Sequence, residues 1–228
     1  MNLLTPETGE GGTLVRPIDR SDYPRLFELD RAVYPTASPV TEDVVDQWYR
    51  RNREFGMIFP GEAPGSISGL FIVIPLSQEG WDNLITGKLT EAQMKDDMIF
   101  DPQRDTALGL HNYHIENLTG QQGFYKKALP ALGNIVNALE PQVNLLGFSA
   151  YAVTNAGIRL HEKQFNMHEQ GFFSKEYVIG DGEDLRVAEL EPDEAGSIEN
   201  KGVRVLRCKM LITTPGEKSI VWDYLKHK

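Results

Sequence analysis

An uninterrupted apolar run, Leu70-Phe71-Ile72-Val73-Ile74, is the feature of this chain that most restricts its fold. It lies inside segment 67–76 and suits a β-strand that is buried on both faces, because a strand with one face in water would alternate apolar and polar residues. The preceding segment 56–60 is predicted to pair with it. The chain is therefore expected to contain a sheet with a covered interior strand.

The other segments show strand and helix patterns in turn. Further strands are predicted at 13–18, 107–118, 143–153, 172–179 and 203–213. Helices are predicted after the candidate caps Ser21, Asp22 and Thr41, and at 123–139 and 155–165. Pro130 marks either a kink or the start of its helix. The order of these segments predicts one α/β domain, residues 13–228, with a central mixed sheet.

Two segments and the start of the chain do not fit this order of strands and helices, and each is interpreted separately. Residues 78–104 are polar, with apolar residues spaced as in short helices, and are interpreted as an insertion packed over the core. Residues 181–200 are acidic and are interpreted as a solvated loop or hairpin. Residues 1–12 end in several glycines and are expected to form a flexible leader.

Composition restricts the partners and the compartment. The formal net charge is −10, so neither nucleic acid nor an anionic membrane is expected as a partner. The chain has one cysteine, Cys208, which suits a reducing compartment. The first residues do not read as a signal peptide, and no stretch is long and apolar enough to span a membrane. A cytoplasmic protein is expected, and a homodimer is left open.

Two stretches resemble the GNAT superfamily of acyl-CoA-dependent N-acyltransferases. The stretch LVRPIDRSDYPRLFELD, residues 14–30, is similar to the opening strand and helix of those domains, and TNAGIRLHEKQFNMHEQGFF, residues 154–173, is similar to a later helix that starts at an asparagine. The resemblance implies a mixed, mostly antiparallel twisted sheet flanked by helices. It also implies transfer of an acetyl or other acyl group from acetyl-CoA or another acyl-CoA to a small amine or a peptide.

A glycine-containing turn joins strand 107–118 to helix 123–139. Backbone N–H groups at a helix start lack partners and carry partial positive charge, and glycine lets a phosphate approach closely. In the family, the loop at this place binds the pyrophosphate of coenzyme A. The implied cofactor-binding residues are Asn117, Leu118, Gly120, Gln121, Gln122, Gly123, Phe124, Tyr125 and, as a cap or a contact to the pantetheine arm, Asn155. Gly123 fits the family pattern, whereas Gly120 and Tyr125 depart from it.

Strand 107–118 carries the candidates for proton transfer: His111, His114 and Glu116. Family members commonly use a glutamate or histidine on this strand as general base, and which of the three acts is left open. Strict alternation would put His111 and Tyr113 on one face and His114 and Glu116 on the other. Because the two histidines would then point apart and no cysteine or tight carboxylate cluster accompanies them, no metal is expected.

His161 stands where the family usually has a tyrosine that protonates the departing thiolate. A histidinium can also donate a proton, so the resemblance implies an acid at this position, and the alternative is a histidine on the helix surface. Two other functions remain open: a catalytically degraded GNAT-like domain that binds acyl-CoA or a protein partner, and an α/β scaffold in which the glycine-containing segment is only a turn. A negative net charge favours a cationic acceptor.

Overall fold

The computed structural model describes residues 15–33, 39–120, 122–139, 142–179, 189–190 and 204–225. Within 171–179, 189–190 and 204–207 it describes the backbone only. The expected leader 1–12, Gln121 of the glycine turn and all but two residues of the acidic segment 181–200 lie outside the described residues.

The described elements are strands and helices that are intermixed along the chain. The strands are β1 (Arg16–Pro17), β2 (Gly56–Pro60), β3 (Ile67–Leu76), β4 (Ala107–Asn117), β5 (Asn144–Ala152), β6 (His168–Ile179), β7 (Glu189–Leu190) and β8 (Arg204–Thr213). The helices are α1 (Tyr23–Val33), α2 (Glu42–Tyr49), α3 (Gln78–Ile85), α4 (Tyr125–Asn137), α5 (Asn155–Arg159) and α6 (Ile220–Leu225). A π-helical turn, Leu160–Gln164, continues α5.

The described strands form one mixed sheet in the order β1-β2-β3-β4-β5-β8-β6-β7. Strands β4 and β5 run parallel. The neighbours on either side of this pair, β3 and β8, are antiparallel to it, as are the outer strands. This confirms the expected fold class, a mixed and mostly antiparallel sheet flanked by helices.

Helices cover both faces of the central strands, as the apolar run in β3 requires. On one face the Trp81 ring of α3 lies so close to Gly109 and Gly147 that a Cβ at either glycine would come within 2.5 Å of it. On the other face the ring of Phe124, just before α4, lies against Gly69 in the same way. Six apolar side chains of β3 are each less than 2% exposed: Leu70, Phe71, Ile72, Val73, Ile74 and Leu76.

Several element boundaries differ from the sequence predictions. The first helical turn is capped by Asp19 rather than by Ser21 or Asp22, because the Asp19 carboxylate accepts from the Ser21 N–H. Likewise Thr154, not Asn155, caps α5, since its hydroxyl accepts from the Gly157 N–H. Pro130 lies inside α4, which begins at Tyr125. Helix α6, strand β7 and the π-helical turn were not predicted.

Candidate functional site

A cleft opens where β4 and β5 separate. The ladder between the two strands ends at the pair Asn112–Ala150, although β4 continues to Asn117 and β5 to Ala152. The cleft is lined by the ends of both strands that no longer pair with each other, by the first turn of α5 and by His161. Backbone groups of β4 beyond Asn112 therefore face a gap instead of a neighbouring strand.

A β-bulge in β4 decides which side chains share a face of the sheet. Ile72 pairs with His114, whereas Val73, the next residue along β3, pairs with Asn112, so Tyr113 is an extra residue. Paired residues of antiparallel strands point to the same face, and Ile72 and Val73 point to opposite faces. The predicted alternation is therefore wrong beyond the bulge: His114 shares the face of His111, and Asn112 points to the other.

His114 and Glu116 lie at the cleft on the face covered by α1 and α2. The His114 side chain is 5% exposed, and its Nε2 atom is 3.6 Å from Oε2 of Glu116, which is 37% exposed. Nε2 has no hydrogen-bond partner among the described residues. His114 thus combines a lone ring nitrogen, a neighbouring carboxylate and a place in the cleft lining.

His111 is enclosed instead. It is fully buried, and both ring nitrogens are engaged: Nδ1 lies 2.9 Å from the Ser149 hydroxyl and Nε2 lies 3.2 Å from Oε1 of Glu91. Glu91 comes from the short 3-10 helix Glu91–Gln93, and Ser149 is the residue beside His111 in the parallel ladder. Of the three candidates for the base, His111 is therefore the least able to reach a substrate.

A buried aspartate extends the polar cluster on this face. The Tyr113 hydroxyl donates to Oδ1 of Asp30 at 2.6 Å, and its ring packs edge-on against Trp48 with centroids 4.9 Å apart. Burial raises the pKa of both Asp30 and Tyr113 above their ordinary values. The pair was not predicted as functional, although an aspartate on the otherwise apolar face of α1 was a visible signal.

His161 lies across the sheet from His114, and its surroundings bear on both expectations for it. It is 3% exposed, so it is not a surface histidine. Its Nδ1–H donates to the Gly157 carbonyl at 2.7 Å, because a carbonyl can only accept. Nε2 then accepts from Nδ2 of Asn112 at 2.8 Å. Burial lowers the pKa of His161 to about 4, so the ring is neutral at pH 7 and its one proton is already shared. This arrangement does not favour a role as acid.

The glycine turn after β4 offers backbone groups at the start of α4. Gly120 and Gly123 have φ values of +69° and +77°, which favour glycine. Helix α4 has no side-chain cap, and the N–H groups of Gly123 and Phe124 bond to no backbone group among the described residues. A Cβ at Gly120 would meet no atom within 4 Å, so this turn is open.

The other residues expected to bind coenzyme A are placed less favourably. The N–H groups of Leu118 and Thr119 are engaged, by the Ser68 carbonyl and by the Asn117 side chain. The Phe124 ring packs against Phe59, with centroids 4.8 Å apart. The Tyr125 hydroxyl donates to Gln164 at 3.1 Å. Gln122 and Asn155 are exposed at the helix starts. Any anion site here would therefore rest on backbone groups of the turn.

Among the described residues, no group of three or more His, Cys, Asp or Glu side chains is arranged to hold a metal ion. None of the described helices has the length and apolar character needed to cross a membrane.

No family model matches the sequence, and no similar curated protein was found. The fold is similar to several solved structures. Arabidopsis thaliana NAA60 with a bisubstrate analogue is 11% identical and matches 90% of this chain and 99% of its own at a TM-score of 0.49. A mosquito arylalkylamine N-acetyltransferase, like 5b, is 11% identical. The match covers 88% of this chain and 99% of that protein, at a TM-score of 0.44. The NatB acetyltransferase complex bound to a bisubstrate inhibitor is 16% identical. The match covers 90% of this chain and 92% of the NatB chain, at a TM-score of 0.44.

At these low identities the comparisons concern the fold alone. The fold itself is recognised from the arrangement of the sheet. The mixed, mostly antiparallel sheet has one central parallel pair, whose strands separate at one end beside a glycine turn and a helix start. The described chain accordingly has a GNAT-like fold, of the kind that the sequence resemblance implies.

Proposed function

We propose that this protein is an acyl-CoA-dependent N-acyltransferase that moves an acetyl or other acyl group to a primary amine. The observation that supports this best is the open end of the β4–β5 pair. Unpaired backbone groups, the lone nitrogen of His114 and the glycine turn all lie along one stretch of chain there, from Asn112 to Gly123.

The backbone of β4 would stabilise the reaction's negative charge. The amine nitrogen attacks the thioester carbonyl carbon, and the carbonyl oxygen becomes an oxyanion. N–H groups of residues 113–116 that face the gap are fixed by the pairing of β4 with β3 on its other edge. Donors held in place before the reaction stabilise an oxyanion without having to reorganise.

His114 is the proposed general base. It takes the proton that the amine loses, and Glu116, 3.6 Å away, stabilises the imidazolium that results. Buried His111 contacts Ser149 and Glu91 and so helps to hold β4 in place against β5. The carbon–sulfur bond then breaks and the thiolate leaves. Since His161 is neutral and its proton is shared with Gly157, the thiolate takes its proton from water.

The glycine turn is the proposed pyrophosphate site. The N–H groups of Gly123 and Phe124 sit at the N-terminal end of α4, where the helix dipole favours anions. Lys126 and Lys127 are exposed one turn further and add positive charge.

A second function is a domain that binds acyl-CoA without turning it over. The observation that favours it is His161, which occupies the position of the expected acid but holds no proton that it can release at pH 7.

Binding and turnover distinguish these functions. Calorimetric titration with acetyl-CoA should show binding, and release of free thiol should then be followed with a panel of amines and peptides. We expect His114→Gln to lower turnover roughly a hundredfold with unchanged acetyl-CoA affinity. His168→Gln, at a histidine that is 55% exposed, is the matched control and should behave like the parent. Binding without turnover on any acceptor would favour the second function, and absence of binding would contradict both.

A further inference from the structure

The orientation of the Asn112 amide is fixed by a chain of hydrogen bonds. The Gly157 carbonyl requires the proton of His161 on Nδ1, so Nε2 can only accept. The group that Asn112 turns toward Nε2, 2.8 Å away, must therefore be its NH₂. The side-chain oxygen of Asn112 is thereby directed away from His161.

That oxygen is buried and has no partner. Asn112 is 2% exposed, it lines the cleft, and its Oδ1 forms no hydrogen bond among the described residues. A buried acceptor that is left unpaired destabilises the folded state, so such groups call for an explanation. A ligand that brings an N–H donor into the cleft would satisfy it.

The face of β4 on which Asn112 lies indicates which of the two substrates would bring this N–H donor. His114, the proposed base for the amine, is on the face of α1 and α2, whereas Asn112 is on the opposite face with His161. The thioester-bearing molecule must therefore reach the gap from the side of Asn112. The pantetheine arm of coenzyme A carries two secondary amides, each with one N–H.

We propose that Oδ1 of Asn112 accepts a hydrogen bond from an amide N–H of the acyl donor, and that His161 is the positioning residue that holds Asn112 in this orientation. This inference rests on the proposed function, because it takes the cleft to be the acyl-CoA site. Asn112 thereby selects donors whose thioester is attached to an amide-containing arm.

Coenzyme A analogues test the proposal through binding alone. In each of two analogues, one of the pantetheine amides is replaced by an ester, which removes its N–H. The parent protein should bind one analogue roughly tenfold more weakly than coenzyme A, because the ester oxygen then faces the Asn112 oxygen. Asn112→Leu, similar in volume and unable to accept, should bind that analogue and coenzyme A with equal affinity.

Controls separate this proposal from the proposed function. Asn144→Leu, at an exposed position on β5, should keep the tenfold difference. If Asn112→Leu does not fold, His161→Phe serves instead, since it releases the Asn112 amide to rotate and should shrink the difference. Equal binding of all three ligands by the parent, or the same loss in parent and Asn112→Leu, would overturn the role of Asn112. A parent that binds no coenzyme A at all would instead contradict the proposed function.

Discussion

At the scale of single residues, burial changes the chemistry of His161 more than its position in the sequence suggests. Its pKa is about 4, below the ordinary value of 6.5. Between these values the unfolded chain takes up a proton that the folded chain refuses, so this contribution to stability is present above pH 6.5 and is lost as the pH falls toward 4. From pH 7 to pH 5 we expect a loss of about 2 kcal/mol in the free energy of unfolding from this residue.

Urea unfolding at the two pH values measures this effect. His161→Gln cannot titrate, so its free energy of unfolding should fall by less than that of the parent between pH 7 and pH 5, whatever its absolute stability. The comparison variant is His168→Gln, which removes an exposed histidine and leaves His161 in place. Parallel slopes for His161→Gln and the parent would mean that His161 titrates normally in the folded protein.

At the scale of elements, the turn between β4 and α4 should be tested as a unit. Gly123→Asp places a carboxylate where the proposed pyrophosphate would sit, so we expect acetyl-CoA binding to be lost beyond detection. Gly216→Asp is the matched control, because Gly216 also has positive φ, at +95°. A Cβ at Gly216 would meet no atom within 4 Å, and a Cβ at Gly123 would make only an ordinary contact with the Lys126 side chain. Calorimetry on both variants, with circular dichroism to verify folding, decides the matter. Equal affinities would remove the turn from the site.

The elements also show what could be predicted from the sequence. Strands β2 and β3 were predicted at 56–60 and 67–76, and the structure confirms both ranges, because an apolar run without alternation has few other interpretations. The bulge at Tyr113 could not be predicted, since it exists only in the pairing of β4 with β3. The contact between Glu91 and His111 was equally hidden, because it joins an irregular segment to a strand 20 residues away. Helix α6 was missed because it has only six residues.

At the scale of the whole molecule, net charge should influence which acceptors arrive at the cleft. The formal charge is −10. Glu116 lines the cleft, and Asp30 and Glu91 lie on the same side of the sheet, against Tyr113 and His111. Under saturating acetyl-CoA, we expect the KM of a polyamine such as spermidine to rise severalfold between about 20 and 200 mM salt, because salt screens long-range attraction. Initial rates of thiol release give this value. A monoamine with an uncharged body is the control, and a KM for spermidine that is as insensitive to salt as the control would argue against electrostatic selection.

The bulge at Tyr113 makes this site vulnerable to changes of length as well as to changes of side chain. Deleting one residue there would restore unbroken pairing and return His114 to the far face of the sheet, even though every other residue was retained. A second extra residue, Leu146, stands in β5, where Leu145 pairs with Leu108 and Gly147 with Gly109. Both strands that border the cleft thus contain an inserted residue. During divergence, the gain or loss of a single codon in either strand could move the reactive groups into or out of the cleft in one step.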